Sequence, residues 1–148
     1  MKQKIALYIY YSLAVTSLFL GSIYLLSPQF MWYHRQAIQT DWVDLSPQFQ
    51  ILVLALMKVT GAGWVAMGVA LLILLHFGFL RGQTWAGWAI PLIGLIFYGP
   101  TLYVTAWVTL NTPGTAPWYG SLIAVILLLL GFVIYPVNPF SIPQKTGH

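Results

Sequence analysis

Apolar residues fall into four long runs, at residues 5–26, 51–77, 86–110 and 118–137, separated by short stretches where polar residues, Pro and Gly collect. Each run is close to the roughly 20 residues that a hydrocarbon layer of about 30 Å demands of a helix. The runs do not alternate apolar with polar positions, and an open sheet edge finds no hydrogen-bond partner in lipid, so strands are not expected. The pattern predicts an all-α fold: an integral membrane four-helix bundle in a single domain over residues 1–137, followed by a mobile cytoplasmic tail at 138–148. The opening MKQK resembles the start of a signal peptide. The run behind it is long, however, no small-x-small cleavage site ends it, and Tyr24, Leu25 and Leu26 stand where cleavage would fall, so this helix is expected to be retained.

The stretch between the first two runs opens and nearly closes on the same four letters, SPQF, at residues 27–30 and 46–49. Pro suits the first turn of a helix and a preceding Ser can cap its free amides, so each copy is expected to start a helix. The first would begin a short amphipathic helix over residues 28–38, lying in the first external loop with Phe30, Met31 and Trp32 inward. The second would begin the second long span. Residues 111–117, NTPGTAP, read as a tight turn.

Composition sharpens the membrane reading. Hydrophobic residues make up 59% of the 148 and charged residues only 5%, far from soluble usage. The formal charge of +4 rests on six scattered basic residues, which form no patch able to track a phosphate backbone, so nucleic acid is not an expected partner. The lack of Cys removes disulfides, thiol chemistry, iron–sulfur clusters and thiolate zinc sites. If the four helices alternate in direction, Lys2, Lys4, Arg81 and Lys145 fall on one side, and Arg35 with both aspartates on the other. The basic side marks the cytoplasm, so both termini are expected to be cytoplasmic, and the membrane is expected to be a bacterial plasma membrane. Trp32, Trp42, Trp107 and Trp118 then mark the outer interface, and Tyr8, Trp85, Trp88 and Tyr135 the inner one.

Against so few charges, Lys58 stands out, because it lies about 10 Å inside the second run, where a charge costs roughly 2.5 to 3.5 kcal/mol. On a helical wheel it shares an arc with Ala55, Gly61, Ala62, Val65 and Ala66, away from Leu56, Thr60 and Met67, and so is expected to face the bundle. It either pairs with Asp41 or Asp44 in the external loop or serves a ligand or proton path. His76, five helical turns on, would lie on the same face, about 27 Å away. In the third run, Pro91 and the pair Gly99-Pro100 predict a kink at Gly99, with Tyr98, Thr101, Tyr103 and Thr105 either bonded locally or lining a small cavity. The fourth run, unbroken and aliphatic over residues 122–130, reads as a lipid-facing wall. In the loop, His34, Arg35, Asp41 and Asp44 are ligand or ion-pair candidates. Imidazole and carboxylate can bind metal or move protons, but their spacing fits no known metal or catalytic motif, and neither a metal nor a cofactor is expected.

The string Pro28-Gln-Phe-Met-Trp-Tyr-His34, with Trp42, Leu45 and Gly61-Ala-Gly63, resembles a group of small bacterial four-span proteins whose function is not established. That resemblance implies topology and assigns no functional residue. The functional expectation is a non-enzymatic membrane protein that binds a hydrophobic or amphipathic small molecule, or an accessory subunit. The alternatives are a small oligomeric transporter or channel, and a membrane enzyme using His34 and the aspartates. The expected partners are membrane lipid, a hydrophobic small molecule, and a second copy or another membrane protein.

Overall fold

The computed structural model describes residues 1–134. The last residues of the fourth run, Tyr135, Lys145 and the tail at 138–148 lie outside the described residues. Every regular element among the described residues is helical: α1 (Lys2–Leu26), α2 (Trp32–Ile38), α3 (Pro47–Ile73), α4 (Thr84–Asn111) and α5 (Trp118–Ile134). A single 3₁₀ turn, Trp42–Asp44, lies between α2 and α3. α3 runs on through a wide turn at Leu74–Gly78 and a tight one at Phe79–Arg81, and ends at Gly82, whose φ of 68° glycine adopts without strain. Taken with that extension, α3 joins α1 and α4 as the three helices long and apolar enough to cross a membrane; α5 is apolar but shorter.

α1 sits between α3 and α5, and α4 packs on α5 and on the wide turn that extends α3. The shared core holds Tyr10, Leu13, Leu71, Leu75, Ile90, Tyr98 and Leu128, with Ala6, Ala14, Ala86 and Ala124 where helices approach closely. α1 and α3 run antiparallel with almost no space between them. A Cβ on Gly21 would meet the Val65 amide nitrogen at 2.7 Å and the Gly61 carbonyl at 2.8 Å; one on Gly68 would meet the Ala14 carbonyl at 2.9 Å. This register sets Lys2 and Lys4 level with Arg81, at the basic end of the molecule. It also sets the end of α1 beside Lys58, so that residues 47–57 of α3 extend past α1 by about 16 Å.

Four sequence expectations change here. The second SPQF does start a helix, with Ser46 Oγ accepting from the Phe49 amide at 3.4 Å, but the first does not. Ser27 Oγ instead donates to the Gln29 carbonyl at 2.9 Å, which holds residues 27–30 in a turn, and α2 begins only at Trp32. The α2 face that turns inward carries Tyr33, with Phe30 buried ahead of it, while Trp32 is 58% exposed. On α3 the buried stripe is Met57, Gly61, Met67, Gly68 and Leu71. Met67 is therefore inside, and Lys58 is exposed rather than facing the core. Nor is α5 wholly a lipid-facing wall, because Ser121, Ala124, Leu128 and Gly131 are buried.

Candidate functional site

The polar residues singled out in the sequence gather at the α2 end of the molecule, where three connections build a cap over the helices. Tyr24, near the end of α1, hydrogen-bonds through its hydroxyl to that of Tyr33 on α2. The Gln50 side-chain amide donates to the Trp42 carbonyl at 2.8 Å and the Leu45 carbonyl at 3.3 Å, tying the 3₁₀ turn to α3. Gly114, in the loop joining α4 to α5, lies so close to α2 that a Cβ there would meet the Tyr33 carbonyl and the Ala37 amide nitrogen at 2.7 Å each. In the same contact Gln36 Oε1 accepts from the Thr115 amide at 3.5 Å.

Lys58 is tied to the end of α1 beside this cap. Its Nζ donates to the Leu25 carbonyl at 2.9 Å, one of the last carbonyls of α1 that no helical amide can reach. An ammonium at a helix C-terminus also meets the favourable end of the helix dipole. No ion pair joins Lys58 to either aspartate among the described residues; Arg35 takes that role, with its Nε 2.5 Å from Asp41 Oδ1. Asp44 lies exposed on the 3₁₀ turn.

His34 is a cap of α2. Its Nδ1 accepts from the Met31 amide at 3.3 Å, and its ring lies edge-on to Tyr33 at 4.2 Å and to Phe30 at 6.4 Å. Burial among these rings pushes the imidazole below its ordinary pKa of 6.5. The unfolded chain therefore takes up a proton near pH 6.5 that the folded loop refuses down to a lower pH. Stability from His34 is present above that range and lost as pH falls through it. Thermal melts at about pH 7.5 and about pH 5.5 should show an acid loss in the native protein that shrinks in His34→Gln, which keeps an acceptor and does not titrate. An equal acid loss in both would remove the capping role.

The remaining candidates are not brought to this end. Tyr98 is buried and hydrogen-bonded to Ser17 on α1 at 2.5 Å. Thr101 donates to the Phe97 carbonyl at 2.7 Å and Thr105 to the Thr101 carbonyl at 2.8 Å, so these hydroxyls are satisfied on their own helix, which runs unbroken through Pro91 and Pro100. Tyr103 is exposed. His76 lies exposed in the wide turn near the basic end. Among the described residues no three His, Asp or Glu side chains converge as metal ligands.

Two recesses open at the α2 end. A polar one of about 540 Å³ is lined by Trp32, Arg35, Gln36, Gln39, Thr40, Asp41 and Pro113. An apolar one of about 340 Å³ lies between α4 and α5, lined by Ala106, Thr109, Leu110 and Trp118. Pro113, in the loop at residues 112–117, lines the first, and Leu110 and Trp118, which flank that loop, line the second. Sequence reasoning found Arg35 and Asp41 but missed Trp32 as a wall, along with Gln36, Gln39 and Pro113. The amides carry no charge to draw notice, and no local pattern brings Pro113 to α2 from so far along the chain. No family model, curated protein or solved structure matches the chain.

Proposed function

We propose that the protein is a small integral membrane protein, a four-helix bundle with its α2 end outside, that binds an amphipathic molecule there without catalysing a reaction. The observation that carries this reading is a polar recess and an apolar one that are both lined in part by the α4–α5 loop or the helix ends that flank it. A polar head beside Arg35 and Asp41 and an apolar chain along α4 and α5 would fill both. The membrane assignment draws on three helices of spanning length and on a fourth, α5, that completes the bundle. Lys2, Lys4 and Arg81 at one end support a cytoplasmic placement of that end.

The enzyme alternative has less support. His34 spends its Nδ1 on the Met31 amide, Asp41 is engaged by Arg35, and no imidazole contacts a carboxylate among the described residues. A transport path along Lys58 and His76 gains no support from the threonine hydroxyls, which bond within α4.

Two measurements test the reading. Purification in mild detergent followed by mass spectrometry should find a lipid or other amphipathic molecule retained by the native protein; its absence would count against binding. A cysteine placed at Gln39 of this Cys-free chain should react with an impermeant maleimide from outside intact cells, and one at Gln83 should not. Equal labelling at both positions would overturn the orientation.

A further inference from the structure

The polar recess sets one positive and one negative group side by side, and we infer that it selects lipids whose headgroup carries both a phosphate and a primary ammonium. This rests on the α2 end being a site for an amphipathic ligand, and it names the headgroup class. Arg35 and Asp41 side chains are 62% and 48% exposed, so each can exchange part of its contact with the other for a ligand. A guanidinium presents parallel donors that match phosphate oxygens, and a carboxylate accepts from an ammonium. With a zwitterionic head the site stays neutral. A purely anionic head would make its phosphate compete with Asp41 for Arg35 and leave the site with one negative charge in excess.

The other walls favour a primary over a quaternary ammonium. Three N–H donors need acceptors, and besides Asp41 the recess holds the side-chain carbonyl of Gln39, whose amide makes no hydrogen bond among the described residues, whereas that of Gln36 already accepts from Thr115. Trp32 offers one exposed ring face for a cation, whereas a trimethylated ammonium, lacking N–H donors, is held by a cage of several rings. From the phosphate the ligand runs past Pro113 onto Leu110 and Trp118, which would seat the start of an acyl chain.

The test uses the full chain in nanodiscs of equal parts phosphatidylethanolamine, phosphatidylcholine and phosphatidylglycerol, extracted into mild detergent, with retained lipid counted by native mass spectrometry. Phosphatidylethanolamine should be retained over each of the others by about tenfold, the scale of one charge-assisted hydrogen bond. Asp41→Asn should abolish the preference over phosphatidylcholine and raise phosphatidylglycerol; Arg35→Gln should lower retention of all three. Asp41 makes no capping hydrogen bond, so an unchanged helical circular dichroism spectrum is expected for Asp41→Asn. Soluble phosphoethanolamine should displace the lipid better than inorganic phosphate does. Equal displacement by the two would mean that the site reads phosphate alone, and would overturn the inference. Equal retention of the three lipids, or a preference for phosphatidylglycerol, would overturn the headgroup class while leaving an amphipathic-ligand site standing. No lipid retained by the native protein would remove both.

Discussion

Gly61→Leu should separate α1 from α3 and lower stability by about 3 kcal/mol or more, the upper end of overpacking costs in a filled interface. The obstacle is main chain, which cannot rotate away. A Cβ at residue 61 would lie 2.8 Å from the Gly21 carbonyl and 2.9 Å from the Leu25 amide nitrogen. In the membrane setting proposed above, where no water is expelled between helices, association depends on this close approach of small residues, so the lost packing has no hydrophobic compensation. The damage should spread. Separation at Gly61 carries the Leu25 carbonyl away from Lys58 Nζ and Tyr24 away from α2, loosening the cap that frames both recesses. Gly21→Val should act similarly, meeting the Val65 amide and the Gly61 carbonyl. Gly120→Ala, where a Cβ meets nothing within 4 Å, is the control and should be neutral or stabilise by up to about 1 kcal/mol. Melts in detergent would place Gly61→Leu roughly 10 °C below the native protein. A melting point for Gly61→Leu within the range of Gly120→Ala would show that the helices do not pack as described.

The positions of the helices were legible because an apolar run of spanning length has few alternatives. The runs at residues 5–26, 51–77 and 86–110 became Lys2–Leu26, Pro47–Ile73 with its two-turn extension, and Thr84–Asn111. Which face each helix buries was less legible. α3 is apolar on every side, so periodicity says little about its orientation, and Lys58 drew the arc toward itself. The glycines were the better guide: Gly61 and Gly68, seven residues apart, lie on the buried stripe because main chain from α1 occupies the space a side chain would need. Lys58 itself is explained by the register. The end of α1 presents an unpaired carbonyl at that level, which a sequence reading that placed all helix ends on one plane would not reveal. The Arg35–Asp41 pair, six residues apart in one loop, was within reach of local reasoning. The recess around it was not, because Pro113 arrives from the α4–α5 loop.

The Ser17–Tyr98 pair is the part of the core least visible in the sequence, and Ser17→Ala should be its most damaging single change. Ser17 Oγ donates to the Leu13 carbonyl at 2.8 Å, which uses its only proton. Tyr98 must therefore donate to Ser17, at 2.5 Å, with both residues 1% exposed. Ser17→Ala leaves a phenol hydroxyl enclosed by the core, with Trp64 and Phe97 rings 5.7 and 5.4 Å from its own, and no evident acceptor. An unsatisfied buried donor costs about 1 to 3 kcal/mol. Tyr98→Phe removes that donor instead. Ser17 keeps its bond to Leu13, so the loss should be about 0.6 kcal/mol, the average measured for hydrogen bonds between helices in a membrane. The double variant has nothing left to strand, and should be more stable than Ser17→Ala alone. Thermal melts of the four proteins in one detergent would then show the native protein first, Tyr98→Phe and the double close together, and Ser17→Ala last, with a coupling beyond the roughly 0.5 kcal/mol scatter of independent sites. Strictly additive losses would mean that Tyr98 finds another partner, and that the contact does not fix α4 against α1.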